Sequence, residues 1–150
     1  MNGTASLFVE RGPEEVFAYV ANLENAPDWV PDLVSVTKTS EGDIGVGTRY
    51  TEIVKMGERQ NEAELEITEY DAPRVFAHRG KGGPSLFTAR FVFTPEGNGT
   101  RIEHHYTVKM TGCFVLLAPL TNRWIRKNTE AGMTSLKDAL EKGDQETVTE

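Results

Sequence analysis

From Leu33 onward, apolar and polar residues alternate with a period of two, interrupted by turns rich in glycine, proline and asparagine. That alternation predicts strands with one buried and one solvated face. The pattern places strands over 33–39, 48–56, 61–70, 75–80, 86–94 and 101–110. In the third of these, Glu62, Glu64 and Glu66 share one face, with Ala63, Leu65 and Ile67 on the other. In the last, Ile102, His104, Tyr106, Val108 and Met110 lie opposite Arg101, Glu103, His105, Thr107 and Lys109. Ahead of this meander stands a short strand over 6–11. Gly12-Pro13-Glu14-Glu15 then opens a helix, since proline suits the first turn and acids suit its positive end. Val16, Phe17 and Val20 give that helix an apolar face, and a second short helix is predicted over 22–28.

After Met110 the period changes to that of a helix, predicted over 114–142, with Pro119 marking either a kink or its true start. Ile125, Gly132, Leu136 and Leu140 form one stripe, while Arg123, Arg126, Glu130, Lys137, Asp138 and Glu141 face away. The polar stretch 143–150 is expected to fray. Consecutive strands joined by short turns form an antiparallel meander. A sheet with one apolar face and a helix with one apolar stripe bury each other most economically. The expected fold class is therefore α+β. No repeat, linker or composition shift divides the chain, so positions 1–150 read as a single domain.

The ordered pieces of the chain resemble the helix-grip (SRPBCC/START-like) superfamily. It includes START lipid-transfer domains, plant pathogenesis-related proteins and bacterial polyketide cyclase/dehydrase-like proteins. The resemblance rests on Gly12-Pro13-Glu14-Glu15-Val16-Phe17-Ala18-Tyr19-Val20, Asn25-Ala26-Pro27-Asp28-Trp29, Gly45-Val46-Gly47-Thr48-Arg49-Tyr50, Ile67-Thr68-Glu69-Tyr70-Asp71-Ala72-Pro73-Arg74, Gly99-Thr100-Arg101-Ile102 and Ser135-Leu136-Lys137-Asp138-Ala139-Leu140-Glu141. These are turn, cap and core residues in a fixed order, so they specify a fold rather than an activity. The resemblance implies a curved sheet of about seven strands wrapped around the C-terminal helix, with a cavity between them. It implies a hydrophobic ligand such as a lipid, polyketide or aromatic metabolite.

Composition narrows the field. The 150 residues carry a net charge of −7, with 38% hydrophobic and 26% charged residues. Such a chain repels nucleic-acid phosphates and anionic lipid surfaces except through a local basic patch. Arg123, Arg126 and Lys127 are the one candidate for such a patch, and a solvated helix face explains them more simply. No apolar run reaches the ~20 residues of a membrane span, so no integral membrane association is expected. The lone Cys113 excludes an internal disulfide or a thiolate metal cluster. Cytoplasmic residence is expected, with no metal and no cofactor. Asn98-Gly99-Thr100 matches a glycosylation sequon but reads as a turn.

Candidate chemistry comes from polar residues on apolar faces. His104 sits between Ile102 and Tyr106, so its imidazole should point inward, either as a satisfied core histidine or toward a ligand. Glu52 shares a face with Tyr50, Val54 and Met56, where a carboxylate is costly unless paired or wet; a bulge could instead expose it. Phe87, Phe91 and Phe93 share a face, as plain core or as a ligand shelf. His78 and Phe76 share a face whose direction the alternation leaves open. Asn128 or Thr129, then Gly132, interrupt the helix stripe with small or polar side chains, leaving either unfilled volume or a close helix contact. The ligand-binding candidates are thus Trp29, Tyr50, Glu52, Phe91, Phe93, His104, Tyr106, Asn128 and Gly132, with Trp29 and Tyr50 at an entrance. A cyclase or dehydratase would draw its acid and base from Glu52, His104 and Tyr106. Leu116, Leu120 and Trp124 form a second apolar row, covered by a neighbouring loop or by a second copy in a homodimer.

Overall fold

The computed structural model describes residues 1–148. Seven antiparallel strands form one sheet: β1 (Asn2–Val9), β2 (Leu33–Lys38), β3 (Arg49–Met56), β4 (Arg59–Asp71), β5 (Val75–Gly82), β6 (Ser85–Glu96) and β7 (Gly99–Met110). Their spatial order is β1-β7-β6-β5-β4-β3-β2. Strands β2 to β7 are therefore a simple meander, and β1 closes onto its far end. Tight turns set the register: Gly57 and Gly97 take φ of +66° and +56°, where a side chain would be strained.

Because β1 and β2 are opposite edges, the chain between them must cross the whole sheet. It does so as α1 (Pro13–Ala21) and a 3-10 helix over Leu23–Asp28, capped by the Asn22 side chain. Val16, Phe17, Val20 and Ala21 turn inward. The Phe17 ring meets Tyr70 at 5.2 Å and Phe93 at 5.4 Å, both edge to face. This end of the fold is closed by packed aromatic rings.

The C-terminal helix covers the rest of the concave face. A 3-10 helix over Gly112–Leu117 leads into α2 (Ala118–Val148), so Pro119 lies in the first turn and the helix is not kinked there. Met133, Leu136 and Leu140 are buried. Arg11 donates to the Leu140 and Glu141 carbonyls, tying the β1–α1 loop to α2. The opposite, convex face carries exposed ion pairs such as Arg79–Glu66 and Arg90–Glu69. Such pairs add little stability each.

Two expectations need correction. The first strand begins at Asn2 rather than Ser6, because an edge strand with small inward residues pairs fully with β7 from Asn2↔Thr107 to Val9↔Thr100. Backbone helix also continues past Lys142 to Val148, where fraying was expected. The last part of that stretch, 149–150, lies outside the described residues.

Candidate functional site

The concave face is filled at the α1 end and hollow at the other. A partly open cavity of about 220 Å³ lies between the sheet, the 3-10 segment and α2. Its floor includes Glu52, Leu65, His78, Ala89, Phe91 and His104. Trp29 and Pro31 form one wall, and Asn128, Thr129 and Gly132 the roof. Short side chains make room for it. Ala89, opposite His78 on β5, raises only a methyl group into the space, beside the Phe91 ring that pairs with His104 on β7. Gly132 lines the space, and a Cβ there would only touch Pro31 Cδ, at 3.4 Å. The expected alternative, a close helix-to-sheet contact, is absent, because Gly132 faces Trp29 and Pro31 ahead of β2 rather than a strand.

The walls are largely aromatic. His104 stacks on Phe91 with ring centroids 4.3 Å apart and planes 4° from parallel. Trp29 meets Phe91 edge to face at 6.2 Å. Into this apolar lining three titratable groups project. Burial pushes the Glu52 carboxyl up to about 7, because a carboxylate loses hydration it does not recover there. Burial lowers His78 to about 4. It lowers His104 to about 3, with nearby His78 and His105 adding repulsion. Near neutral pH both imidazoles are uncharged. Each leaves its Nδ1 buried without a hydrogen-bond partner. Leaving such an atom unsatisfied costs about 1–3 kcal/mol. Among the described residues no lysine or arginine lines the cavity.

Of the residues singled out from sequence, Trp29, Glu52, Phe91, His104, Asn128 and Gly132 surround this one space. Tyr50, Phe93 and Tyr106 do not. Tyr50 is 1% exposed and packs in the core beside the cavity rather than at an entrance. Its phenol, unpartnered, is pushed up to about 12 by burial. Phe93 belongs to the aromatic cluster around Phe17. Tyr106 lies over Gly3 of β1, where a Cβ would come within 2.3 Å of its hydroxyl, so it sits outside the lining that Glu52 and His104 share. His78 takes its place. The sequence left its direction open; the structure turns it inward, with Arg79 and Lys81 of the opposite parity on β5 exposed. Glu52 stays on the inward face: the β2–β3 irregularity falls at Leu33/Ser35, and the Val36↔Glu52 pairing is regular.

A larger depression of about 560 Å³ lies on the sheet, bordered by Arg49, Glu64, Glu66, Arg79 and Lys81. It is an open surface of paired charges and offers no enclosed chemistry. Among the described residues no group of three or more His, Cys, Asp or Glu side chains could hold a metal ion. No helix among them is long and apolar enough to cross a membrane.

A curved antiparallel sheet gripping a C-terminal helix around a small-molecule-sized cavity defines a helix-grip, START-like domain. Residues 2–141 match the family model described as polyketide cyclase / dehydrase and lipid transport, and the chain belongs to that family. Solved structures agree in fold. Protein TTHA0849 from Thermus thermophilus is 20% identical, with a TM-score of 0.80 over 95% of this chain and 99% of that one. A START superfamily protein from Mycobacterium smegmatis is 14% identical, with a TM-score of 0.80 over 94% of this chain and 97% of that one. The Zhui aromatase/cyclase from Streptomyces sp. R1128 is 13% identical, with a TM-score of 0.74 over 94% and 93%. No curated protein matches the chain with significant sequence similarity.

Proposed function

We propose that this protein binds a compact, uncharged and mainly apolar molecule in the cavity between sheet and α2. The observation that carries the reading is the pair of buried, unpartnered imidazole nitrogens, on His78 and His104, in an aromatic-lined space. The volume lies below the roughly 300–1,000 Å³ of drug-sized sites, which suits one or two rings. The Phe91–His104 stack offers a flat face. Glu52 and the two histidines offer hydrogen bonds to a hydroxyl or carbonyl oxygen, while an anionic head group would find no counter-charge. A naphthol and the matching naphthoate test this directly in a thermal-shift titration. The naphthol should stabilise the protein and the naphthoate should not. Equal stabilisation by both, or by neither, overturns the reading.

A second reading is supported by Glu52 itself. A carboxyl held near 7 in a cavity that two neutral imidazoles also line can exchange protons at physiological pH, as the acid and base of a cyclase or dehydratase must. Incubation with aromatic polyketide intermediates tests it: identical product profiles with and without protein, and with His104→Ala, refute catalysis. Self-association through Leu116, Leu120 and Trp124 is the third use the sequence suggests. An isologous contact there would set Arg123 and Lys127 near their own copies across the two-fold axis, which argues against it.

A further inference from the structure

The segment between β7 and the cavity roof is built unlike the rest of the surface. Phe114, Val115, Leu116, Leu117, Leu120 and Trp124 are 44%, 53%, 84%, 51%, 75% and 45% exposed. They are six of the ten large hydrophobic side chains exposed among the described residues, gathered within eleven positions. Monomeric proteins rarely leave so contiguous an apolar patch without a partner. Charge in this segment is equally one-sided. Residues 104–129 contain Lys109, Arg123, Arg126 and Lys127 and no Asp or Glu, giving +4, whereas the rest of the chain carries 12 cations against 23 acids, or −11.

Helical spacing puts both properties on one face. Leu120 and Arg123 are three apart, as are Trp124 and Lys127, and this face lies opposite the buried stripe of Gly132, Leu136 and Leu140. Arg123, Arg126 and Lys127 line one surface depression with Pro119 and Asn122, and the first acid there is Glu130. Most of the apolar side chains, Phe114 to Leu120, precede the cations at 123–127, with Trp124 among the cations, and Leu120 to Lys127 spans about 10 Å along the axis. That is the depth order of acyl chains and head groups in a bilayer, into which interfacial helices sink about 5–10 Å.

We propose that Gly112–Lys127 docks the protein on an anionic lipid surface. Leu116, Leu120 and Trp124 enter the acyl boundary, and Arg123, Arg126 and Lys127 meet the head-group phosphates. The positive charge favours this partner over a second copy, which would bring like charges together. Docking also places the cavity beside the lipid, since Asn128, Thr129 and Gly132 of the same helix form its roof. The acidic remainder of the chain orients the molecule by repulsion.

Flotation with two kinds of vesicle tests the proposal: phosphatidylcholine alone, and phosphatidylcholine with an equal part of phosphatidylglycerol. The intact protein should float with the mixed vesicles, lose binding in high salt, and shift its Trp124 fluorescence to the blue. A Trp124→Phe protein should lose the shift. Leu116→Ser/Leu120→Ser should weaken binding by about tenfold for each leucine. Arg123→Gln/Arg126→Gln/Lys127→Gln should weaken it about a hundredfold in total and remove the salt dependence. All these side chains are exposed, and near-ultraviolet circular dichroism checks that each variant folds. Equal flotation with both vesicle types overturns the proposal, as does no flotation with either. A dimer in light scattering that Leu116→Ser/Leu120→Ser converts to monomer also overturns it, in favour of self-association.

Discussion

Replacing Glu52 by glutamine isolates the energetic consequence of placing a carboxyl in the cavity floor. Glutamine keeps the shape and removes the charge. The folded-state value of Glu52 is about 7 against 4.5 for the free side chain. A group raised in this way binds its extra proton in the folded state. Its contribution to stability is full below about pH 4.5 and is lost as the pH rises through about 7. At about 1.4 kcal/mol per pH unit, the whole loss is about 3 kcal/mol. Between about pH 5 and pH 8 the part lost is about 2–3 kcal/mol. Glu52→Gln loses none of it, so its stability relative to the wild type should be about 2–3 kcal/mol greater at the higher pH. In a domain of this size that equals roughly 5–10 °C in Tm. Denaturant unfolding of both proteins across this range measures the difference directly, and any pH-independent effect of the substitution cancels. If the two curves run parallel across the range, Glu52 is hydrated or ion-paired in solution and the dry cavity floor is wrong.

Further expectations concern neighbouring groups. His78 and His104 are lowered to about 4 and 3, so the stability of their neutral forms is present above about 6.5 and lost as acid charges them; His78→Leu and His104→Leu should each flatten the acid limb of a pH–stability curve. At neutral pH each should also gain about 1–2 kcal/mol in denaturant unfolding by removing an unsatisfied buried nitrogen, while weakening naphthol binding. Gly132→Ala should stabilise α2 by up to about 1 kcal/mol, because the new Cβ meets Pro31 only at 3.4 Å. Gly80→Ala should destabilise by about 1–3 kcal/mol, since its Cβ would fall 2.2 Å from Phe87 Cζ and push that ring toward the cavity. Thermal unfolding separates these two glycines by sign.

Much of the fold was legible because it rests on periodicity. Alternation in β4 and β7 assigned faces correctly, including the inward direction of His104, and glycine-rich turns located the hairpins. The strand missed in part was β1, whose inward Gly3 and Ala5 give little hydrophobic contrast and whose pairing with β7 is long-range. Glu52 was identified as inward by parity alone. What surrounds it was not, because neighbours across several strands depend on register summed over the whole sheet.

The sequence by itself determined the order of the elements and which side of most of them faces in, β5 excepted, since these follow from local steric preference and from the separation of apolar and polar side chains. Only the tertiary structure decided that Tyr50, Phe93 and Tyr106 are packing while His78 joins Glu52 and His104. It also decided that the row through Leu116, Leu120 and Trp124 remains uncovered. Whether an inward side chain meets a void or another ring depends on sheet curvature and on where α2 lands, and both are properties of contacts between residues far apart in the chain.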